Sequence, residues 1–215
     1  MGMPTLASWI TFLITSLVII LIPGPSVVFA IGRTLALGRP AGLVTVAANA
    51  IGTSMWVIAT AIGLTGLITA APWALEVVKI AGVIYLGYLG VKTIIGSKAQ
   101  HAAVVGASGA TKTLGQIWRE GFFVGLSNPK TAVFFMAILP QFINPEGNFA
   151  LQFLLLGATF EVIGVLSDAM YVLGAAAVRT WILNESKRLT AIIAVGGVLI
   201  LGVSVWLLIN MLTGH

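Results

Sequence analysis

Six apolar blocks, residues 5–31, 41–71, 73–95, 121–142, 149–178 and 189–212, make up most of this 215-residue chain. A helix needs about 20 mostly apolar residues to cross a ~30 Å hydrocarbon core, and every block reaches that length. The second and fifth exceed a straight crossing: at about 1.5 Å per residue they extend to about 45 Å, so they tilt, bend or project from the lipid. Only 8% of the residues are charged while 59% are hydrophobic; a soluble domain carries about a quarter charged. The expected fold is all-α and integral to a membrane, with six transmembrane helices in a single domain over residues 1–215.

The few charges then report orientation. Arg33, Arg39, Lys92, Lys98, Lys112, Arg119, Arg179, Lys187 and Arg188, nine of the eleven basic residues, fall on one side of the six spans, while Lys79, Glu76 and Glu146 fall on the other. The positive-inside rule puts the basic side in the cytoplasm and both termini outside. Trp9, Trp73, Trp118 and Trp181 lie at expected span ends, where an interfacial aromatic belt belongs. The net charge of +5 is not gathered into a basic patch with interleaved aromatics, which argues against a nucleic-acid partner. The chain has no cysteine, so disulfides, thiolate metal sites and dithiol redox chemistry are excluded. Residues 1–5 carry no positive charge and the apolar run behind them is long for a signal peptide, so the first block is expected to be retained as a helix.

Residues 96–116, rich in Gly, Ala, Ser and Thr, read as a flexible linker. His101 has no second ligand type nearby and is expected to be a solvated loop residue without a metal. On either side of this linker the chain reads as two repeats, 1–95 and 117–215. Residues 81–87 (AGVIYLG) and 196–202 (GGVLILG) share four of seven positions, and their 115-residue offset also pairs Pro25 with Pro140. Two inverted three-helix repeats are the expected plan.

Two motifs break the apolar blocks. Pro23-Gly24-Pro25 interrupts the first, since each proline removes a backbone donor and clashes with the preceding turn. Freed backbone groups at membrane depth are tolerated only against protein or a water-filled cavity; a simple kink at the cytoplasmic end is the alternative. Asn128-Pro129-Lys130 interrupts the fourth block, just after Gly121 and Gly125, whose spacing permits close helix contact. Lys130 either faces a partner inside the bundle or snorkels to the interface. In the fifth block Glu161 and Asp168 lie seven residues apart on one helical face shared with Gly157 and Gly164. Intramembrane carboxylates bind cations or take up protons, unless they are protonated structural acids. Counted from the expected cytoplasmic ends, Pro25, Asn49, Asn128, Pro129, Lys130 and Asp168 all lie at roughly 9–15 Å depth and can line one vestibule. Glu161 lies deeper, where it can relay a proton. The amides after Pro-Gly-Pro suit a carboxylate, and Asp168 with Lys130 are expected to pair or to exchange partners with a zwitterion.

The Pro23-Gly24-Pro25 element, the glycine-spaced second block (Gly38, Gly42, Asn49, Gly52, Gly63) and Asn128-Pro129-Lys130 leading to Phe134 and Pro140 together resemble the LysE/RhtB amino-acid exporter family over essentially the whole chain. The resemblance implies a dimeric efflux permease of the bacterial inner membrane, not an enzyme and without a cofactor. It would export amino acids or close derivatives such as homoserine, threonine, leucine or lysine by proton antiport. Ala48 and Asn49 interrupt the small-residue series of the second block, which bears on substrate choice. Two other readings share the architecture. A solute-capturing membrane subunit of an ATP-driven uptake system would need no titrating acids, and a metal-ion exporter would have only Asp168, Glu161 and Asn49 as hard oxygen ligands. An intramembrane metalloprotease would need His-Glu-x-x-His, which the chain lacks.

Overall fold

The computed structural model describes residues 2–70, 73–106 and 112–177, and beyond them residues 190–191, 194–195, 198, 200–202, 204–206 and 208–209. Every regular element among these is helical. The helices are α1 (Leu6–Leu21), α2 (Pro25–Leu37), α3 (Arg39–Ala70), α4 (Trp73–Gly106), α5 (Leu114–Leu126), α6 (Pro129–Val133) and α7 (Phe149–Ala177). A π-helical turn, Phe134–Ile138, and a 3-10 turn, Leu139–Phe142, continue α6. Four stretches are long and apolar enough to cross a membrane: Arg39–Gly63, Ile80–Ser97, Leu114–Phe142 and Phe149–Ala177. The pair α1 and α2, bent by 47° at the Pro-Gly-Pro break, makes a fifth. The described residues of the sixth block are helical.

Local chemistry sets the ends. Thr5 caps α1 by accepting from the Ser8 amide, and Thr113 with Gln116 closes a reciprocal capping box at α5,. Helix α2 stops at Gly38, whose φ of 88° is a conformation that favours glycine, with Pro40 following in the first turn of α3,. The stretch expected as a linker departs from that reading. Helix α4 runs through it as far as Gly106, because its alanines are strong helix formers and it holds no proline; residues 107–111 lie outside the described residues. So do the side chains of Glu76, Lys79, Lys98 and His101, as well as Arg179, Trp181, Lys187 and Arg188.

Helices α3 and α5 cross at van der Waals contact of their backbones. A methyl group at Gly125 would run into the Asn49 carbonyl, one at Gly52 into the Phe122 carbonyl, and one at Gly121 into Ala48 and Thr45. This is the close approach that the Gly121-xxx-Gly125 spacing called for. The apolar core lies towards the other end of the bundle, where Phe12, Phe134, Phe135 and Phe153 are fully buried and Phe134 stacks on Phe160 at 4.0 Å between ring centroids. The Asn144 side chain donates to the Met3 carbonyl at 3.2 Å, so the N-terminal residues and the α6–α7 connection share one end.

Candidate functional site

Where the first block breaks, α1 ends in carbonyls without intrahelical donors. Other elements supply them. The Lys130 ammonium donates to the Ile19 carbonyl at 3.1 Å and the Ile22 carbonyl at 2.8 Å, and the Tyr171 hydroxyl of α7 donates to the Leu21 carbonyl at 2.6 Å. A cation on a helix C-terminus also complements its dipole. Gly24 makes this possible: a Cβ there would stand 3.3 Å from Lys130 Cε and Nζ. Across the break, Pro25 takes the first position of α2, where a missing N–H costs nothing, and Gly24 offers the helix no side-chain cap.

The second break is closed on both sides. The Trp56 indole of α3 donates to the Leu126 carbonyl at 2.7 Å, and the Ser127 and Asn128 amides return to Phe123 and Gly125. Asn128 caps α6 by accepting from the Lys130 amide at 3.1 Å. Its Nδ2 donates to Ser26 Oγ at 3.1 Å. One buried side chain thus caps the second break and ties it to the first.

Between the breaks, α3 and α7 lies a cavity of about 40 Å³. From the first broken helix it takes Ile20, Ser26 and Val27; from α3, Val46, Asn49, Ala50 and Thr53; from the second break, Asn128, Lys130 and Thr131; from α7, Phe160, Glu161, Gly164, Val165 and Asp168. The expected residues Asn49, Asn128, Lys130, Glu161 and Asp168 therefore meet at one cavity, with Pro23, Gly24, Pro25 and Pro129 forming the breaks beside it. The expected ion pair is the exception. Lys130 is 5% exposed and bonds the α1 carbonyls instead of Asp168, because those carbonyls have no other side-chain donor among the described residues; it does not snorkel. Asp168 stays within electrostatic reach of Lys130 and Glu161. Glu161 Oε2 accepts from Thr53 Oγ1 at 2.9 Å. Among the described residues, Glu161 Oε1 and Asn49 Oδ1 are buried with no hydrogen-bond partner, which in a closed interior marks a place for water or a ligand. The volume suits a few waters or one small polar head group, so a larger solute requires the helices to part.

Sequence reasoning missed Thr53, Ser26 and the role of Tyr171. Thr53 carried a signal: it stands four residues after Asn49 in an apolar helix, hence on the same face. On the far side of Asn128 and Pro129 runs an apolar groove of about 540 Å³ between Trp56, Tyr85, Gly82, Ala132 and Met136. Towards the α2–α3 corner, Glu120 of α5 accepts from Arg33 of α2 and from Lys112 at 2.6 and 2.8 Å. The Arg33 guanidinium also lies 5.0 Å from the Phe29 ring centroid.

Comparison with known proteins matches the arrangement to a family. A homoserine/homoserine lactone efflux protein of Salmonella typhimurium is 29% identical over 81% of this chain and 83% of its own length. A membrane protein of Vibrio cholerae is 31% identical over 74% of this chain and 76% of its own. The membrane protein YrhP of Bacillus subtilis is 27% identical over 88% and 95%. No solved structure matches the chain. The family model described as LysE type translocator matches residues 17–211, a stretch that holds both breaks and the whole cavity, and the chain belongs to that family.

Proposed function

We propose that this translocator is an efflux permease of the bacterial inner membrane for amino acids or close derivatives of the homoserine type, working by exchange with protons. The observation that carries the reading is the pairing of opposite chemistries around one small cavity. Lys130 and the uncapped start of α2 offer donors to a carboxylate or carbonyl. Glu161, Asp168 and Asn49 offer acceptors to an ammonium group. The Salmonella relative is named for two solutes, homoserine and its lactone. These differ in the carboxylate, which the lactone has lost to its ring, and share the α-amino group. A carboxylate that binds either a proton or an amine, but not both, couples the two fluxes. Asp168 and Glu161 fill that role here.

In this reading the chain crosses the membrane six times as two inverted three-helix halves, works as a homodimer among the membrane lipids, and has both termini outside. The end that carries Arg33, Lys112 and Glu120 then faces the cytoplasm, where solute loads between the two breaks. Expression in bacteria, followed by efflux of and resistance to a panel of amino acids, lactones and toxic analogues, tests it. The expected result is efflux of at least one homoserine-like compound, lost in Asp168→Asn and dissipated by a protonophore. Transport of only metals or vitamins, or undiminished efflux in Asp168→Asn, overturns it.

A further inference from the structure

We infer that Asn49, Thr53 and Glu161 form the subsite for the solute's ammonium group, which makes the amine, and not the carboxylate, the group by which solutes are selected. The inference rests on the efflux reading and assigns one wall of its cavity. Asn49 is 7% exposed, so more than nine-tenths buried, and its Oδ1 has no hydrogen-bond partner. Glu161 Oε1 is likewise buried and unpartnered. Both residues line the same cavity. Two unpaired acceptors lining one cavity call for a donor with several hydrogens, and an ammonium supplies three.

The rest of the corner is already oriented for this. The Thr53 hydroxyl donates to Glu161 Oε2, which holds the carboxylate with its other oxygen free. Thr53 also lies within 3.0 Å of the Ala50 carbonyl, one turn up the same helix as Asn49. The opposite wall has its own cation: Lys130 gives two hydrogen bonds to the α1 carbonyls and its charge acts on Asp168, whereas the hydrogen bond to Glu161 comes from a neutral hydroxyl. A buried carboxylate without a cation is the costlier of the two, and a solute's ammonium relieves it. An inorganic cation such as sodium offers related chemistry to the same oxygens, so the test must separate the two.

The test is counterflow of labelled L-homoserine in proteoliposomes that hold the full chain, with two unlabelled competitors. One is 3-amino-1-propanol, which keeps the amine and lacks the carboxylate. The other is 2,4-dihydroxybutanoate, in which a hydroxyl replaces the amine. The amine is expected to compete at least about tenfold better than the hydroxy acid, the loss of one charge-assisted hydrogen bond being worth about that much. Asn49→Ala and Thr53→Val should each narrow that ratio. The competition itself is measured on the unmutated protein and needs neither variant to fold. Equal competition by the two compounds, or amine competition that sodium abolishes, overturns the subsite while leaving efflux intact. Absence of exchange for homoserine and for every other amino compound of the efflux panel overturns the efflux reading, and the subsite with it.

Discussion

The two broken helices meet at Asn128 yet differ in how fully their freed backbone groups are satisfied. At the second break both ends are satisfied by neutral groups: Trp56 of α3 holds the Leu126 carbonyl and Asn128 caps the helix it begins. At the first, the carbonyl end borrows Lys130 and Tyr171 from distant elements, and the amide end has no side-chain cap. A closed break is architecture. An open one, beside a cavity and secured by a lysine from another helix, is where binding energy has something to act on.

Five substitutions break or sharpen that contrast, in descending order of effect. Lys130→Met removes the cation that holds the end of α1; transport is expected to fall by at least about a hundredfold, because two carbonyls each lose a charge-assisted bond of about 1.5–3 kcal/mol. Wild-type flux in membranes from this variant would place Lys130 outside the working parts. Asn128→Ala unties the breaks, and thermal unfolding in detergent should register about 2 kcal/mol, one part from the lost cap and one from the lost bond to Ser26. Ser26→Ala, measured alongside, should cost about half as much; if the two costs match, the cap adds nothing. Trp56→Phe deletes only the indole donor on the Leu126 carbonyl, and about 1 kcal/mol with near-normal transport is expected. A transport loss as severe as that of Lys130→Met would show that the second break also moves. Glu120→Gln weakens the ion pairs of a carboxylate that is 32% exposed, with buried Arg33 and with Lys112, for about 1 kcal/mol by denaturation, with a larger loss at low than at high salt.

Much of this was legible in the sequence. Proline chemistry located both breaks to the residue, and the Gly121–Gly125 spacing foretold the α3–α5 contact. Depth counting gathered Asn49, Asn128, Lys130 and Asp168 around one cavity. Lys130 was harder to read. Its partners are backbone carbonyls more than a hundred residues away, which carry no side-chain signature, so the eye goes to Asp168. Thr53 was concealed for another reason: threonine in an apolar helix usually returns its hydroxyl to its own backbone, as Thr34, Thr45 and Thr53 itself do here, and only the approach of α7 brings Glu161 within reach of the same hydroxyl. The residues before Gly106 misled because a Gly/Ala/Ser composition suits a linker and a helix alike, and helix continuity from α4 decides between them. The π turn at Phe134–Ile138 left no pattern to find.

The absence of cysteine allows the central contrast to be tested directly. Ser26→Cys places a single thiol at the first break and Ser127→Cys places one at the second, facing the apolar groove. Labelling by a membrane-impermeant thiol reagent is timed with and without L-homoserine. If the first break is the loading site, homoserine at about ten times its dissociation constant slows labelling of Ser26→Cys by about tenfold and leaves Ser127→Cys unchanged. Equal protection at both positions, or protection at Ser127→Cys alone, contradicts the account.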